Sequence, residues 1–178
     1  MNNIVLIGMP GSGKSTVGVL LAKALGYNFL DVDLVIQQRE GQLLQNILDT
    51  YGMDHFLQVE EDAVRSIRCE RTVIAPGGSA VCTPGGLAHL KALGPVVYLR
   101  VPVDELQKRI TNLSTRGIVM RPGQTLSDVM AVRAPLYEGC ADLIVDVRPG
   151  DELAFTMLEV MHRLQQSGSN VTAPQPQG

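Results

Sequence analysis

Residues 8–16 read Gly-Met-Pro-Gly-Ser-Gly-Lys-Ser-Thr, a match to G-x-x-x-x-G-K-[ST] that follows a short apolar run and precedes a segment of helical period. Glycine at these places lets the backbone wrap a phosphate with its N–H groups. A helix beginning near Lys14 adds the positive end of its dipole, and the Lys14 ammonium reaches toward β- and γ-phosphates. Ser15 supplies a hydroxyl for Mg²⁺. Gly11, Ser12, Gly13, Lys14, Ser15 and Thr16 are therefore candidate nucleotide-binding residues. Chance would produce such a match in a chain of this length roughly 1% of the time. The next carboxylates, Asp31 and Asp33, stand in Phe29-Leu30-Asp31-Val32-Asp33, at the carboxyl end of a second apolar run. In an open parallel sheet that edge faces the ligand crevice. Alternation along a strand would send i and i+2 to the same side, toward the phosphate loop. One carboxylate could then join the metal's ligands and the other take a proton. A plainer use also exists, because an Asp at a strand-to-helix junction often only caps the helix that follows, here one beginning near Leu34.

The elements that must hold these residues are legible in the same way. Short β-branched runs at Asn3–Ile7, Asn28–Asp31, Thr72–Ala75, Pro95–Val101 and Asp142–Val147 alternate with segments long enough for crossover helices. That pattern predicts an α/β fold with a parallel sheet. Thr83 before Pro84 reads as a cap with proline at the first helical position, and Asp104, Leu106 and Ile110 mark a helix after the fourth strand. Leu153, Met157, Leu158 and Met161 recur at helical spacing and read as a core stripe. From Ser167 the chain turns to Ser, Gly, Asn, Pro and Gln, so 167–178 is expected to be a disordered tail behind one domain of 1–166.

Composition removes several classes of function. The 178 residues are 45% hydrophobic and 19% charged, with 15 Lys and Arg against 18 Asp and Glu for a net charge of -3. No basic cluster speaks for nucleic acid, and no apolar run nears the roughly 20 residues of a membrane span. Cys69, Cys82 and Cys140 form no CxxC pair, which suits reduced thiols in the cytoplasm. His55, His89 and His162 show no ligand-like spacing with them, so no zinc site is expected.

With these residues in view, the chain resembles the shikimate kinases over about residues 1–165. The resemblance is carried by the phosphate loop, Asp31-Val32-Asp33, His55-Phe56-Leu57-Gln58-Val59-Glu60-Glu61-Asp62, Gly77-Gly78-Ser79, Arg121-Pro122 and Arg133-Ala134-Pro135-Leu136-Tyr137. It implies a five-stranded parallel sheet flanked by helices, with a mobile lid at about 113–124. It also implies a monomer that transfers the γ-phosphoryl group of Mg-ATP to the 3-hydroxyl of shikimate. Asp33 would bind the substrate hydroxyls, Gly77 and Gly78 would cradle the substrate, Arg133 would grip its carboxylate and Arg121 would contact the phosphates. Lys14, Asp33 and Arg121 are then the expected catalytic residues, with Ser15 and Asp31 at the metal.

Three positions depart from the family pattern. Leu57 stands where a second carboxylate-binding Arg is expected, and Glu60, which would buttress that Arg, is left either functional or as a solvated helix face. Ser79 replaces the third glycine of the triplet. The lid stretch Thr115-Arg116-Gly117-Ile118-Val119-Met120 is also unusual, and Arg116 is either a surface residue or a replacement anion contact. Since all three changes lie on the substrate side, a kinase for another small hydroxy acid or polyol, with Leu57 making a drier pocket, remains an alternative. A nucleotide-binding module without catalysis fits less well, because a sensor has no use for both an acceptor-side carboxylate and a lid arginine.

Overall fold

The computed structural model describes residues 3–110, 119–121 and 123–168. Its strands are β1 (Ile4–Ile7), β2 (Asn28–Asp31), β3 (Thr72–Ala75), β4 (Val96–Arg100) and β5 (Leu143–Asp146), each inside the run that predicted it. They pair in parallel in the order β2-β3-β1-β4-β5. The inner strands β1 and β3 are buried at every residue, as is β4 up to Arg100, while the edge strands β2 and β5 are partly exposed. Continuous apolar runs are what strands covered on both faces require, and the edges can afford polar residues.

The helices are α1 (Lys14–Leu25), α2 (Val32–Glu40), α3 (Leu44–Arg65), α4 (Pro84–Leu93), α5 (Val103–Arg109), α6 (Leu126–Cys140) and α7 (Leu153–Gln166), with a single 3₁₀ turn at Ala80–Cys82. They flank the sheet, α1 packing on α7 and α3 on α4. From β1 the chain first crosses to β2 and β3 on one side, and only later to β4 and β5 on the other. The reversal opens a crevice beyond the carboxyl end of β1, the place where ligands bind in sheets of this kind. Two local devices shape its rim. Gly13, the residue before α1, has φ 93°, a left-handed conformation that favours glycine. Gly52, at φ 81° and ψ 176°, breaks α3, so that the segment carrying Phe56 and Glu60 takes its own direction.

Several expectations change. The helix after β2 starts at Val32 rather than near Leu34, with Asp31 as its cap and Asp33 in its first turn. The two carboxylates are thus brought together by a capped helix start and not by strand alternation. Thr83 does precede Pro84 at the start of α4, but its hydroxyl makes no capping bond and is buried without a partner. On α7 the buried line is Thr156, Val160 and Leu164, with Leu153, Met157 and Met161 partly buried beside it. Leu158, assigned to the stripe, is 55% exposed because it lies a further step around the helix. Of the expected tail, Ser167 and Gly168 still close the end of α7, and 169–178 lie outside the described residues, as do 111–118 and 122 of the lid stretch.

A single polar side chain ties the sheet's far end. Asn3, fully buried, donates from Nδ2 to the carbonyls of Cys69 (2.9 Å) and Leu93 (3.1 Å), and its Oδ1 accepts the Thr72 N–H (3.1 Å). Asn3→Ala would orphan three backbone groups at once, two of them buried. It should lower the unfolding free energy by about 3 kcal/mol in urea titration, with kcat of the surviving folded protein unchanged.

Candidate active site

The crevice is a cleft of about 900 Å³ in which the phosphate loop, the start of α2, the loop after β3 and α6 meet. Gly11, Gly13, Lys14, Ser15 and Thr16 line it as expected, while Ser12 lies beneath the loop, fully buried, with its amide donating to the Met9 carbonyl (3.1 Å). Lys14 lies folded back along the loop, its Nζ donating to the carbonyls of Gly8 (2.9 Å) and Met9 (3.0 Å). An ammonium has three N–H groups, so one remains for a ligand. Burial pushes its pKa down to about 8, with Asp33 and Asp31 pulling it back up. A polyphosphate set against it would favour the charged form more strongly still.

Asp31 serves two elements at once. Its Oδ2 accepts the Ser15 hydroxyl (2.8 Å), and its Oδ1 accepts the Asp33 amide (3.0 Å). The capping use therefore holds, and the same carboxyl also holds the Ser15 hydroxyl. A hydroxyl paired with a carboxylate is an oxygen donor set suited to Mg²⁺, which commonly takes one or two protein ligands and completes its shell with phosphates and water. Among the described residues no group of three His, Cys, Asp or Glu forms a closed metal cage. Asp33 also lines the cleft, and burial, then the neighbouring Asp31, raises its pKa to about 6. A carboxylate so placed is a better proton acceptor than one in water.

On the opposite wall, Gly77 and Gly78 are required by space. A β-carbon at 77 would collide with Glu60 Oε1 and stand 3.0 Å from Asp33 Oδ1, and one at 78 would stand 2.7 Å from Pro10 Cδ. The Gly78 carbonyl accepts the hydroxyl of Tyr137, whose ring stacks on Tyr98 at 5.0 Å between centroids. One turn earlier on α6, Arg133 is buried and lines the cleft, its Nη2 donating to the Val119 carbonyl (2.7 Å).

Other expected residues stand elsewhere. Arg121 is exposed and does not line the cleft, and its main-chain N–H is held by the Gln124 side chain (2.8 Å). Leu57 is partly buried against the core and does not line the cleft either, so it makes no drier pocket wall. Arg116 lies outside the described residues. Glu60 is no solvated helix face: it is 1% exposed, and its Oε2 accepts the Ser79 hydroxyl (2.6 Å). The side chain added at 79 is directed to Glu60. Sequence reasoning gave no role to Tyr137, although its spacing of four from Arg133 on a helix placed both on one face. Nor did it anticipate the wall built by Arg109 of α5 and residues 150–153. The Glu105–Arg109 pair at 3.0 Å, also spaced by four, was the available signal for the first. The second, the loop before α7, offered none.

A parallel sheet with this strand order and a GKS loop at the carboxyl end of its first strand, with Asp33 and Arg133 in the same cleft, define a phosphate-binding-loop kinase of small molecules. The shikimate kinase family profile matches residues 10–165. A shikimate kinase of Nitrosomonas europaea is 38% identical over 175 residues, covering 96% of this chain and 82% of the relative, and one of Mycobacterium tuberculosis is 40% identical over 164 residues, covering 90% and 92%. Among solved structures, shikimate kinase from Acinetobacter baumannii in complex with shikimate superposes with a TM-score of 0.84 at 29% identity, covering 96% of each chain. The chain belongs to the shikimate kinase family.

Lys14 is tied to its loop by two hydrogen bonds and donates to no other element among the described residues. Lys14→Met should therefore leave the circular dichroism spectrum unchanged while reducing phosphoryl transfer by about 100-fold or more. Retention of more than about a tenth of the activity would overturn its assignment to the phosphates.

Proposed function

We infer that the chain transfers the γ-phosphoryl group of ATP to the 3-hydroxyl of shikimate. The observation that carries this reading is that one cleft joins the Lys14 loop to Asp33, the Gly77–Gly78 backbone and Arg133. Phosphoryl transfer asks the protein chiefly to position two reactants and stabilise charge around a loose transition state. The loop amides and Lys14 hold the polyphosphate. Asp33 accepts a hydrogen bond from the attacking hydroxyl, orients it and receives its proton late in the transfer. The Gly77–Gly78 backbone, fixed by Tyr137, and the Arg133 guanidinium seat the rest of the acceptor, the guanidinium matching a carboxylate. Ser15 and Asp31 would hold Mg²⁺, which when bound draws negative charge from the phosphate oxygens.

Arg121 is assigned to the phosphates as well. It stands outside the cleft, so this role requires the segment bearing it to fold over the bound nucleotide, a movement that would also exclude water as a competing acceptor. No helix among the described residues is long and apolar enough to cross a membrane. A monomer acting in the cytoplasm completes the reading, and size-exclusion chromatography checks the first part of it.

A second reading, a kinase for another hydroxy acid or polyol, draws on Leu57, since position 57 offers no guanidinium. ATP consumption with shikimate and with a panel of hydroxy acids and polyols separates the two: turnover with shikimate well above the others is expected, and a better acceptor in the panel would replace it. Asp33→Asn should cut kcat by about 100-fold or more while changing the Kd for ATP less than about threefold. Equal losses in both would place Asp33 with the metal instead.

A further inference from the structure

Glu60 is the least explained group in the cleft. It is buried, its Oε2 is engaged by Ser79, and its Oε1 has no hydrogen-bond partner among the described residues. None of the ion pairs among the described residues includes it. The position three residues before it on α3, which would place a side chain beside it, is the apolar Leu57. Oε1 and Asp33 Oδ1 both lie within hydrogen-bond distance of one point, where a β-carbon on Gly77 would stand. Two carboxyls therefore flank the same stretch of acceptor-side backbone.

A buried carboxylate oxygen with neither cation nor donor is costly, and two carboxylates side by side resist ionising together. Both costs fall if Glu60 carries the proton and Asp33 the charge, and what is left is a neutral donor in need of an acceptor. We propose that Glu60 is a specificity-determining residue which, as a neutral acid braced by Ser79, presents its Oε1 side as a hydrogen-bond donor to an anionic group of the acceptor. In this chain the donor would stand in for a guanidinium at position 57. The proposal rests on the reading above that the acceptor is a carboxylic acid.

The electrostatics agree with the geometry. Burial raises the Glu60 pKa to about 7, opposed by the Ser79 hydroxyl on the turn after β3, raised further by Asp33 of α2 and opposed again by Arg133 of α6 and Lys14 of α1. The neutral donor is present below that value and lost as pH rises through it, leaving an anion beside an anion. Acceptor affinity should therefore fall as pH rises.

The test is the KM and directly titrated Kd for shikimate between about pH 6 and about pH 8.5, where its own carboxylate stays ionised. The wild type should weaken by about tenfold or more across that range. Glu60→Gln keeps a neutral N–H donor that cannot ionise, so its KM should stay low and flat. Leu57→Arg, which sets a cation beside Glu60, should likewise flatten the profile. Both variants leave Lys14 and Asp33 in place, so any pH dependence they retain belongs to those groups. A flat wild-type profile overturns the proposal, as does a Glu60→Gln KM raised at every pH, which would mean that an ionised Glu60 accepts a hydroxyl. A Glu60→Gln profile that still follows the wild type overturns it too, and thermal melts identify a variant that fails through folding. Turnover at about pH 6 with saturating shikimate reads the proposed function separately. If shikimate is inert there, that function fails and the same comparison is made with whichever hydroxy acid is turned over. An uncharged polyol as the sole acceptor overturns both.

Discussion

Asp31 is the joint on which the site depends. With one oxygen it takes the Ser15 hydroxyl at the start of α1, and with the other it caps α2 through the Asp33 amide. The phosphate loop and Asp33 are thus referred to a single carboxyl group at the end of an edge strand. Reactants that must meet in line need such a common origin, since a misplacement of even 1 Å is costly in rate. The register of β2 on β3, which sets Asp31 opposite Ala75, carries the same reference on to Gly77 and Gly78 two and three residues later.

The opposite wall of the cleft is fixed differently. Arg133 and Tyr137 share one face of α6, and the phenol holds the Gly78 carbonyl while the guanidinium holds that of Val119. A helix side, a turn after a strand and the backbone at Val119 are bound together by two side chains one turn apart. Both are buried, so neither can yield without exposing core, and rigidity here is a by-product of packing.

What could be read from the chain in advance divides along physical lines. Strands buried on both faces, β1, β3 and β4, announce themselves as apolar runs, and the runs of the partly exposed edges β2 and β5 were legible as well. The phosphate loop was legible because its chemistry depends on backbone shape, and hence on glycines at fixed spacing. Asp31 and Asp33 were located correctly for an incorrect reason, because a capped helix start mimics the outcome of strand alternation. Burial of Glu60 and the turn of Ser79 toward it were not legible. They arise between α3 and the loop after β3, far apart in sequence, and no local pattern records such a meeting. Leu57 shows the converse: a departure from a family pattern marks where a side chain is missing, yet not whether its replacement faces the ligand. Leu57 faces the core.

The last helix closes on the first loop. Leu153, at the start of α7, packs against Gly13, and the residues just before it form part of the cleft wall. The phosphate loop thus comes before every described helix, and the wall opposite it comes with the last of them. A growing chain that has produced the loop, Asp31, Asp33 and even Arg133 still lacks one side of the cleft until α7 can dock on α1. The order of residues along the polypeptide thus makes the cleft a product of closure, complete only when the two ends of the described fold have met.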